Sequence, residues 1–459
     1  MKKYKVDMTH GPLLGKIIRF AIPLILANVM ALLFHAADLI VVGRFASSEA
    51  MAAVGAAPAF PTLMLNLFWG IASAVNVLVA RYTGAKDRRN VSDAVHTSIA
   101  VAIIGGLFMM VLGLIITKPV LHLMAVPADI MDDAALYMWI WCLGIPFMIL
   151  YSFGSAVLRA IGDTRRPLIF MMIAGVVNVL LNLFFVLVCK MDVAGVAIAT
   201  KLSNVVSAVL VLRVLYKTRD NYRLVFKRIK IKWFILKDLF RIGIPAGVQG
   251  MLYSVSNIII QSTVNSFGAM AIAGNTAALS LEGMVHAAFG AFGLAVVSFV
   301  GQNHGAKRYK RVVRCIWLCL MCGFVTFAVL GGIEFIFKRQ LLGVYNSNPT
   351  VIEWGVLRMN YQLTFYFLVA GIDILVGALR GLGHSLGPTI ISLLGACAFR
   401  VFWVFFIFPL DPRMENLMIS YPVSWALVFV VTGIMLFVVC RKLLKNARFP
   451  RHKENAAAA

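Results

Sequence analysis

Long apolar runs alternate with short polar segments along almost the whole chain. A run of about 20 apolar residues is long enough to cross the hydrocarbon core of a bilayer as an α-helix. Twelve runs of this kind are present, and each predicts one membrane-spanning helix. The predicted spans lie near residues 17–42, 56–80, 92–116, 134–157, 167–188, 195–216, 236–262, 276–300, 313–337, 352–378, 388–409 and 418–440.

The chain also repeats itself. Gly84-Ala85-Lys86 follows the second span, and the same triplet returns as Gly305-Ala306-Lys307 after the eighth. The loop that begins at Leu158-Arg159 returns as Leu379-Arg380 at the same offset of 221 residues. Six spans in each copy give the two halves the same orientation, which is the parallel-repeat plan of many secondary transporters.

The predicted fold class is therefore all-α integral membrane, with twelve transmembrane helices in two parallel six-helix bundles around a central cavity. The predicted domains are an N-terminal lobe at 1–216, a basic cytoplasmic linker at 217–235, a C-terminal lobe at 236–445 and a cytoplasmic tail at 446–459.

Composition supports a membrane protein, since 61% of the residues are hydrophobic and only 14% are charged. The net charge of +24 invites a nucleic-acid partner, but most of the 43 Lys and Arg residues fall on alternate loops. The positive-inside rule then predicts cytoplasmic termini, and topology alone explains the basicity. The expected partner is the lipid bilayer, with no nucleic acid. The first apolar run shows no cleavage site and is expected to be a retained span.

The first span carries the most informative polar residue. Asp38 lies inside an apolar run, where a carboxylate is costly and usually marks a functional site. His35 precedes it by about one turn. Pro23, fifteen residues before Asp38, removes a backbone hydrogen bond and predicts a kink in the same helix.

Three further polar residues are expected at a similar depth. Asn178 and Asn182 lie one turn apart on the fifth span, and Thr200 lies near the outer start of the sixth. Together with Asp38 they offer hard oxygen ligands that suit Na+, while the carboxylate alone suits a proton. Hydrogen bonding between helices is the structural alternative for the two asparagines.

The second half offers different candidates for a substrate or secondary proton site. Glu282 and His286 lie four residues apart on the eighth span, and Asp373 lies towards the cytoplasmic end of the tenth. Glu282 and His286 could instead satisfy each other. Arg400 lies in mid-span and needs a counter-charge, which Asp373 or Glu282 could supply.

At these residues the chain resembles the multidrug and toxic compound extrusion (MATE) family, over essentially residues 10–445. The likeness rests on Asp38-Leu39-Ile40-Val41-Val42-Gly43-Arg44, on the Gly-Ala-Lys and Leu-Arg-x-x-Gly loops, and on the six-plus-six plan. Within the family the chain is most similar to the bacterial DinF-like branch. That branch has the spacing kept here by Pro23, Asp38, Asn178, Asn182 and Thr200, although it often has Asp at the position of Asn182.

The resemblance implies an antiporter of the bacterial inner membrane. It would export amphiphilic, mostly cationic drugs or dyes in exchange for Na+ or H+, as a monomer with no further cofactor. Asp38 would bind the ion, and the first helix would bend around Pro23. The alternative is a lipid-linked precursor flippase of the same superfamily, for which Lys201 and Arg400 are the candidate basic cavity residues. A membrane enzyme or structural protein is the different-class alternative, and no set of nucleophile, base and acid predicts one.

Overall fold

The computed structural model describes residues 4–45, 59–123, 131–189, 191 and 193–448, and within these ranges the side chains of residues 35–45, 59–63, 123, 133, 193, 447 and 448 lie outside the description. Throughout the described ranges the secondary structure is helical, with no strand. The helices of the first half are α1 (Leu13–Phe45), α2 (Ala59–Gly84), α3 (Arg88–Leu123), α4 (Met131–Leu143), α5 (Ile145–Ala160), α6 (Arg165–Leu183) with a π-helical turn at Phe184–Val188, and α7 (Val193–Lys217).

The second half follows a single 3₁₀ turn at Phe226–Arg228. Its helices are α8 (Trp233–Asn265), α9 (Ala269–Gly305), α10 (Tyr309–Ile336), α11 (Lys338–Tyr345), α12 (Pro349–Leu363), α13 (Phe367–Gly381), α14 (Leu386–Ser392), α15 (Phe399–Phe402) between two π-helical turns, and α16 (Met414–Arg448) after a 3₁₀ turn at Phe408–Leu410.

Nine helices of the described chain are long and apolar enough to cross a membrane by themselves. Two bent helix pairs, α4 with α5 at 40° and α12 with α13 at 49°, raise the number to eleven when each pair is counted as one span. The remaining predicted span, the seventh at residues 236–262, falls on α8, which is 33 residues long but is diluted by interior polar residues such as Gln249, Ser254 and Asn257. Every predicted span therefore falls on a helix or a bent pair, apart from residues 56–58 of the second span, which lie outside the described residues. The all-α membrane fold is confirmed.

Glycine allows the closest helix contacts. Gly70 of α2 and Gly247 of α8 approach so nearly that a Cβ atom at Gly70 would overlap the backbone of Gly247. Beside them Asn66 donates a hydrogen bond to the Ser254 hydroxyl at 3.2 Å. Small residues let two helix backbones meet in an environment where lipid supplies no hydrophobic drive for association. The first half of α8 thus packs on the helices of the N-terminal half.

The chain divides into two compact units. Unit 1 contains Met1–Asp7 and Ile18–Val255, and unit 2 contains Met8–Ile17 and Ser256–Ala459. The unit boundary therefore falls inside α8, between Val255 and Ser256, whereas the repeat predicted a boundary at the linker of residues 217–235. The two predicted lobes follow from the sequence repeat and remain a proposal. The two units follow from which residues contact each other in the structure.

Candidate coupling and substrate sites

Three of the predicted coupling residues meet in unit 1. The Asn178 side-chain amide donates a hydrogen bond to the Thr200 hydroxyl at 3.2 Å, which ties α6 to α7. Asn182 donates in turn to the Asn178 carbonyl oxygen at 3.4 Å, and Thr200 donates to the Val196 carbonyl at 2.9 Å. Asn178 and Asn182 are both buried. These hydrogen bonds bring the three residues together, and we call them the amide–hydroxyl chain; their role in coupling stays a prediction.

Helix α1 packs against α6 just beneath this chain. A Cβ atom at Gly175 would overlap the ring of Phe34, so only glycine permits the approach. One turn further along α1 comes Asp38, and one turn further along α6 comes Asn178, which puts the two positions at a similar level. The side chains of Asp38 and His35 lie outside the described residues. Pro23 lies inside α1, which is helical on both sides of it, and its kink stays a prediction.

Lys201, next to Thr200 in the sequence, is a buried base that the helices enclose. Its ammonium group lies 4.0 Å from the centroid of the Trp141 ring and 3.9 Å from the Met148 sulfur. A Cβ atom at Gly144, where α4 bends into α5, would overlap the lysine stem. The charge is thus held by a cation–π contact in a tightly packed place, which is unlike a residue that lines a wide basic cavity.

Unit 2 contains a network of full charges. Arg358 of α12 donates two parallel hydrogen bonds to the Glu282 carboxylate of α9, from Nε to Oε1 at 3.0 Å and from Nη2 to Oε2 at 2.9 Å. The same guanidinium donates to Asn275 at 2.8 Å and to Gln362 at 2.9 Å. Both charged side chains are 3% exposed. We call this group the arginine network.

The arginine network changes the interpretation of Glu282. The sequence offered His286 or Arg400 as its partner, whereas the structure gives it Arg358. The sequence signal for Arg358 was present, because it is a basic residue within a predicted span, just as Arg400 is. What was missing was the contact itself, which joins residues 76 positions apart. A carboxylate held at both oxygens by a bidentate arginine is already neutralised.

His286 and Asp373 instead form a pair of their own. The His286 Nε2 atom lies 3.2 Å from the Asp373 Oδ2 atom, and the side chains are 48% and 34% exposed. The imidazole packs edge-on against Phe289 with ring centroids 5.1 Å apart, and Phe289 packs in the same way on Tyr366 at 5.5 Å. This carboxylate is therefore accessible, in contrast to the enclosed one of Glu282.

Arg400 is buried and contacts a hydroxyl group and two aromatic rings. Its Nε atom donates to the Ser424 hydroxyl at 2.8 Å. Its guanidinium lies 4.3 Å from the centroid of the Tyr421 ring and 5.8 Å from that of Trp425.

In the part of the chain that the structure describes, no group of three or more His, Cys, Asp and Glu residues is placed to hold a metal ion. A sodium site would therefore depend on amide and hydroxyl oxygens together with the carboxylate of Asp38.

The helices and their buried polar groups define a multi-pass membrane transporter. A family model described as MatE matches residues 23–184 and again residues 245–406, so the duplication inferred from the motifs is matched twice by one model. The chain belongs to the MatE family. Its members are transporters rather than enzymes, which confirms that prediction and sets aside the different-class alternative.

Known proteins agree with this assignment. The chain is 26% identical over 433 residues to "Probable multidrug resistance protein YoeA" of Bacillus subtilis, covering 92% of this chain and 93% of the relative. It is 27% identical to "Probable multidrug resistance protein YpnP" of the same organism, covering 88% of each. The crystal structure of MATE in complex with MaL6 superposes with a TM-score of 0.90 over 96% of this chain and 99% of that chain, at 19% identity, which shows the shared fold.

Proposed function

We propose that this chain is a secondary active multidrug efflux transporter that exports amphiphilic organic cations in exchange for Na+ or H+. The observation that carries the proposal is the amide–hydroxyl chain of Asn178, Asn182 and Thr200, which joins two buried asparagines to a half-buried threonine at the level of Asp38 on α1. Both Bacillus subtilis relatives are named as probable multidrug resistance proteins, which supports drug-like substrates.

The coupling ion binds at Asp38 in this proposal. Neutral amide and hydroxyl oxygens complete the shell of a sodium ion, and they also stabilise a carboxyl group that has taken up a proton. Asn182 contributes no formal charge where a second carboxylate would bind a cation more tightly. One monovalent ion or one proton therefore balances the single carboxylate. Binding at Asp38 bends α1 around Pro23 and closes the cavity of the N-terminal lobe.

Substrate cations interact with the pair formed by His286 and Asp373. The Asp373 carboxylate is partly exposed and can attract an organic cation, and the rings of Phe289 and Tyr366 nearby suit a flat amphiphile. Glu282 is removed from this role because Arg358 holds both of its oxygens. It belongs to the fixed framework of unit 2.

The flippase alternative has less support. A cavity for polyanionic lipid carriers needs accessible basic residues, and both candidates are enclosed. Lys201 is 8% exposed and lies over Trp141, whereas Arg400 is 3% exposed and lies over Tyr421. We place the transporter in the bacterial inner membrane as a monomer with cytoplasmic termini, following the distribution of Lys and Arg over its loops.

The test is efflux of a cationic dye from proteoliposomes under an imposed Na+ gradient or an imposed pH gradient. Wild type is compared with Asp38→Asn and with Asp238→Asn, a matched carboxylate change near the start of α8. Flux driven by one gradient, lost in Asp38→Asn and retained in Asp238→Asn, supports coupling at Asp38. Normal flux in Asp38→Asn contradicts the coupling site, and absence of flux in wild type under both gradients contradicts the antiporter.

The substrate pair is tested separately. Asp373→Asn removes a charge-assisted contact, so we expect the KM for a cationic dye to rise about tenfold while a neutral substrate is unaffected. An equal loss for both substrates would make the pair of His286 and Asp373 structural.

A further inference from the structure

Every basic side chain in the segment between α7 and α8 is exposed to solvent. All of its Lys and Arg residues, with those of the adjoining helix ends, are exposed: Arg213, Lys217, Arg219, Arg223, Lys227, Arg228, Lys230, Lys232, Lys237 and Arg241. Two acids lie in the same stretch, Asp220 and Asp238. Asp220 is neutralised by the Lys5 ammonium at 2.6 Å, and this hydrogen bond lowers the pKa of the carboxyl group.

Large apolar side chains are exposed among these charges. Trp233 is 76% exposed and Phe226 is 56% exposed, and Ile231 and Phe234 are also exposed. In a water-soluble loop such residues would turn inward, as Tyr222 and Leu224 of the same segment do. An exposed mixture of aromatic and basic side chains is the composition of segments that lie in a membrane interface.

The segment is held in place by hydrogen bonds to its backbone. The Val225 amide donates to the His96 Nε2 atom at 3.0 Å, and the Lys232 amide donates to the Thr97 hydroxyl at 3.2 Å. The Leu224 amide donates to the Leu215 carbonyl at 2.9 Å. His96 and Thr97 are neighbours on α3, so one turn of that helix fixes two points of the segment. The charged and aromatic side chains are therefore presented from a fixed backbone.

The ends of the segment set its depth. Lys217 ends α7, which is long and apolar enough to cross a membrane, and Trp233 begins α8, the helix on which the predicted span 236–262 falls. The residues between the two helices are therefore expected to run along the membrane surface. Aromatic side chains at span ends lie at the level of the lipid headgroups, and basic side chains reach the phosphates. By the positive-inside rule this is the cytoplasmic leaflet, which carries the anionic lipids.

We propose that residues 213–241 form a docking surface for anionic phospholipid of the cytoplasmic leaflet, which we call the linker surface. The lysines and arginines bind the phosphate of lipids such as phosphatidylglycerol. Phe226, Ile231, Trp233 and Phe234 enter the acyl boundary beside them. The backbone bonds to His96 and Thr97 keep this surface at the membrane while the helices on either side of it move.

The test measures lipid binding to the full chain in neutral detergent by native mass spectrometry, with phosphatidylglycerol or phosphatidylcholine as the probe. The linker variant carries Lys227→Gln, Arg228→Gln, Lys230→Gln and Lys232→Gln. The control variant removes the same charge elsewhere, with Lys310→Gln, Arg441→Gln, Lys442→Gln and Lys445→Gln, all exposed. An apolar variant with Phe226→Ala and Trp233→Ala keeps every charge.

We expect wild type and the control variant to bind phosphatidylglycerol roughly tenfold more tightly than phosphatidylcholine, and the linker variant to lose this preference. The apolar variant should bind both lipids more weakly, and glycerol phosphate should not displace the intact lipid. Preference retained in the linker variant, or lost equally in the control, overturns the proposal. Displacement by glycerol phosphate or by RNA together with normal binding in the apolar variant overturns it too, because the surface would then be a general polyanion site.

Discussion

The two units stabilise their polar side chains within the membrane by different kinds of interaction. Unit 1 uses neutral dipoles, the amide–hydroxyl chain from Asn182 through Asn178 to Thr200. Unit 2 uses full charges, the bidentate pair of Arg358 and Glu282. Asn178, Asn182, Glu282 and Arg358 are all buried, so each has to satisfy its polar atoms within the protein.

The same difference between the two units is seen at positions that correspond in the sequence repeat. Thr200 corresponds at the repeat offset to Tyr421, whose ring lies 4.3 Å from the Arg400 guanidinium and 5.5 Å from that of Arg358. Where unit 1 presents a hydroxyl oxygen, unit 2 presents an aromatic face already in contact with two fixed cations. Neutral oxygens can accept a mobile cation, whereas a site with resident guanidinium groups repels one. The comparison explains why we place coupling in unit 1.

The largest effect is expected when the charged arrangement is broken. Arg358→Leu leaves the Glu282 carboxylate buried without its partner, and we expect the free energy of unfolding in detergent to fall by about 3 to 5 kcal/mol. Arg358→Met combined with Glu282→Leu should recover most of this loss, because neither charge then remains. A single change that costs less than about 1 kcal/mol would show that the pair is hydrated rather than enclosed.

A smaller effect is expected where α1 meets α6 in unit 1. Gly175→Ala places a methyl group against the Phe34 ring, and overpacking of this kind costs about 1 to 3 kcal/mol. Gly283→Ala in α9 is the matched control, since a Cβ atom there meets nothing within 4 Å. Thermal unfolding should separate the two variants, and equal melting temperatures would contradict the close contact of α1 with α6.

The neutral chain should respond more weakly than the arginine network. Asn178→Ala and Thr200→Val each remove one hydrogen bond between α6 and α7, and such bonds contribute about 0.6 to 1.7 kcal/mol in membrane proteins. The double variant should show a coupling energy of the same sign and size. Losses as large as that of Arg358→Leu would mean that unit 1 is not the milder of the two arrangements.

The smallest effect is expected at the surface ion pair of Lys5 and Asp220, which is the exposed counterpart of the buried pair. Its side chains are 26% and 47% exposed, so solvent screening limits its contribution to about 0.5 kcal/mol. The hydrogen bond from Lys5 lowers the folded-state pKa of Asp220, so the contribution is present above the ordinary carboxylate pKa and is lost as pH falls through the lowered one. Wild type and Lys5→Met should therefore differ in unfolding free energy at neutral pH and converge in acid.

Much of the fold could be predicted because its signals are local. Each membrane span is visible as an apolar run, and the repeat is visible as short motifs at a fixed offset. The cluster of polar residues in unit 1 could also be predicted from the sequence, since Asn178 and Asn182 are one helical turn apart and Thr200 begins the next span at the same depth. Local spacing and depth were enough to bring these three residues together.

The pairing of charges in unit 2 could not be predicted from the sequence in this way. Glu282 and His286 do lie four apart on α9, and that spacing suggested a mutual pair. They take different partners, Arg358 on α12 and Asp373 on α13, because the neighbouring helices supply stronger ones. Hydropathy cannot rank such partners, since it records how apolar a segment is and not which helix lies beside it.

The sequence by itself determined that this is a duplicated helical membrane protein. It also predicts that the basic loops share one side and that polar residues gather in the outer part of the first half. Only the tertiary structure decided which buried charges neutralise each other and which remain accessible. The physical reason is range. Helix formation and membrane partition depend on residues within one segment, whereas an ion pair depends on the distance between atoms on separate helices, which is fixed only when the helices pack.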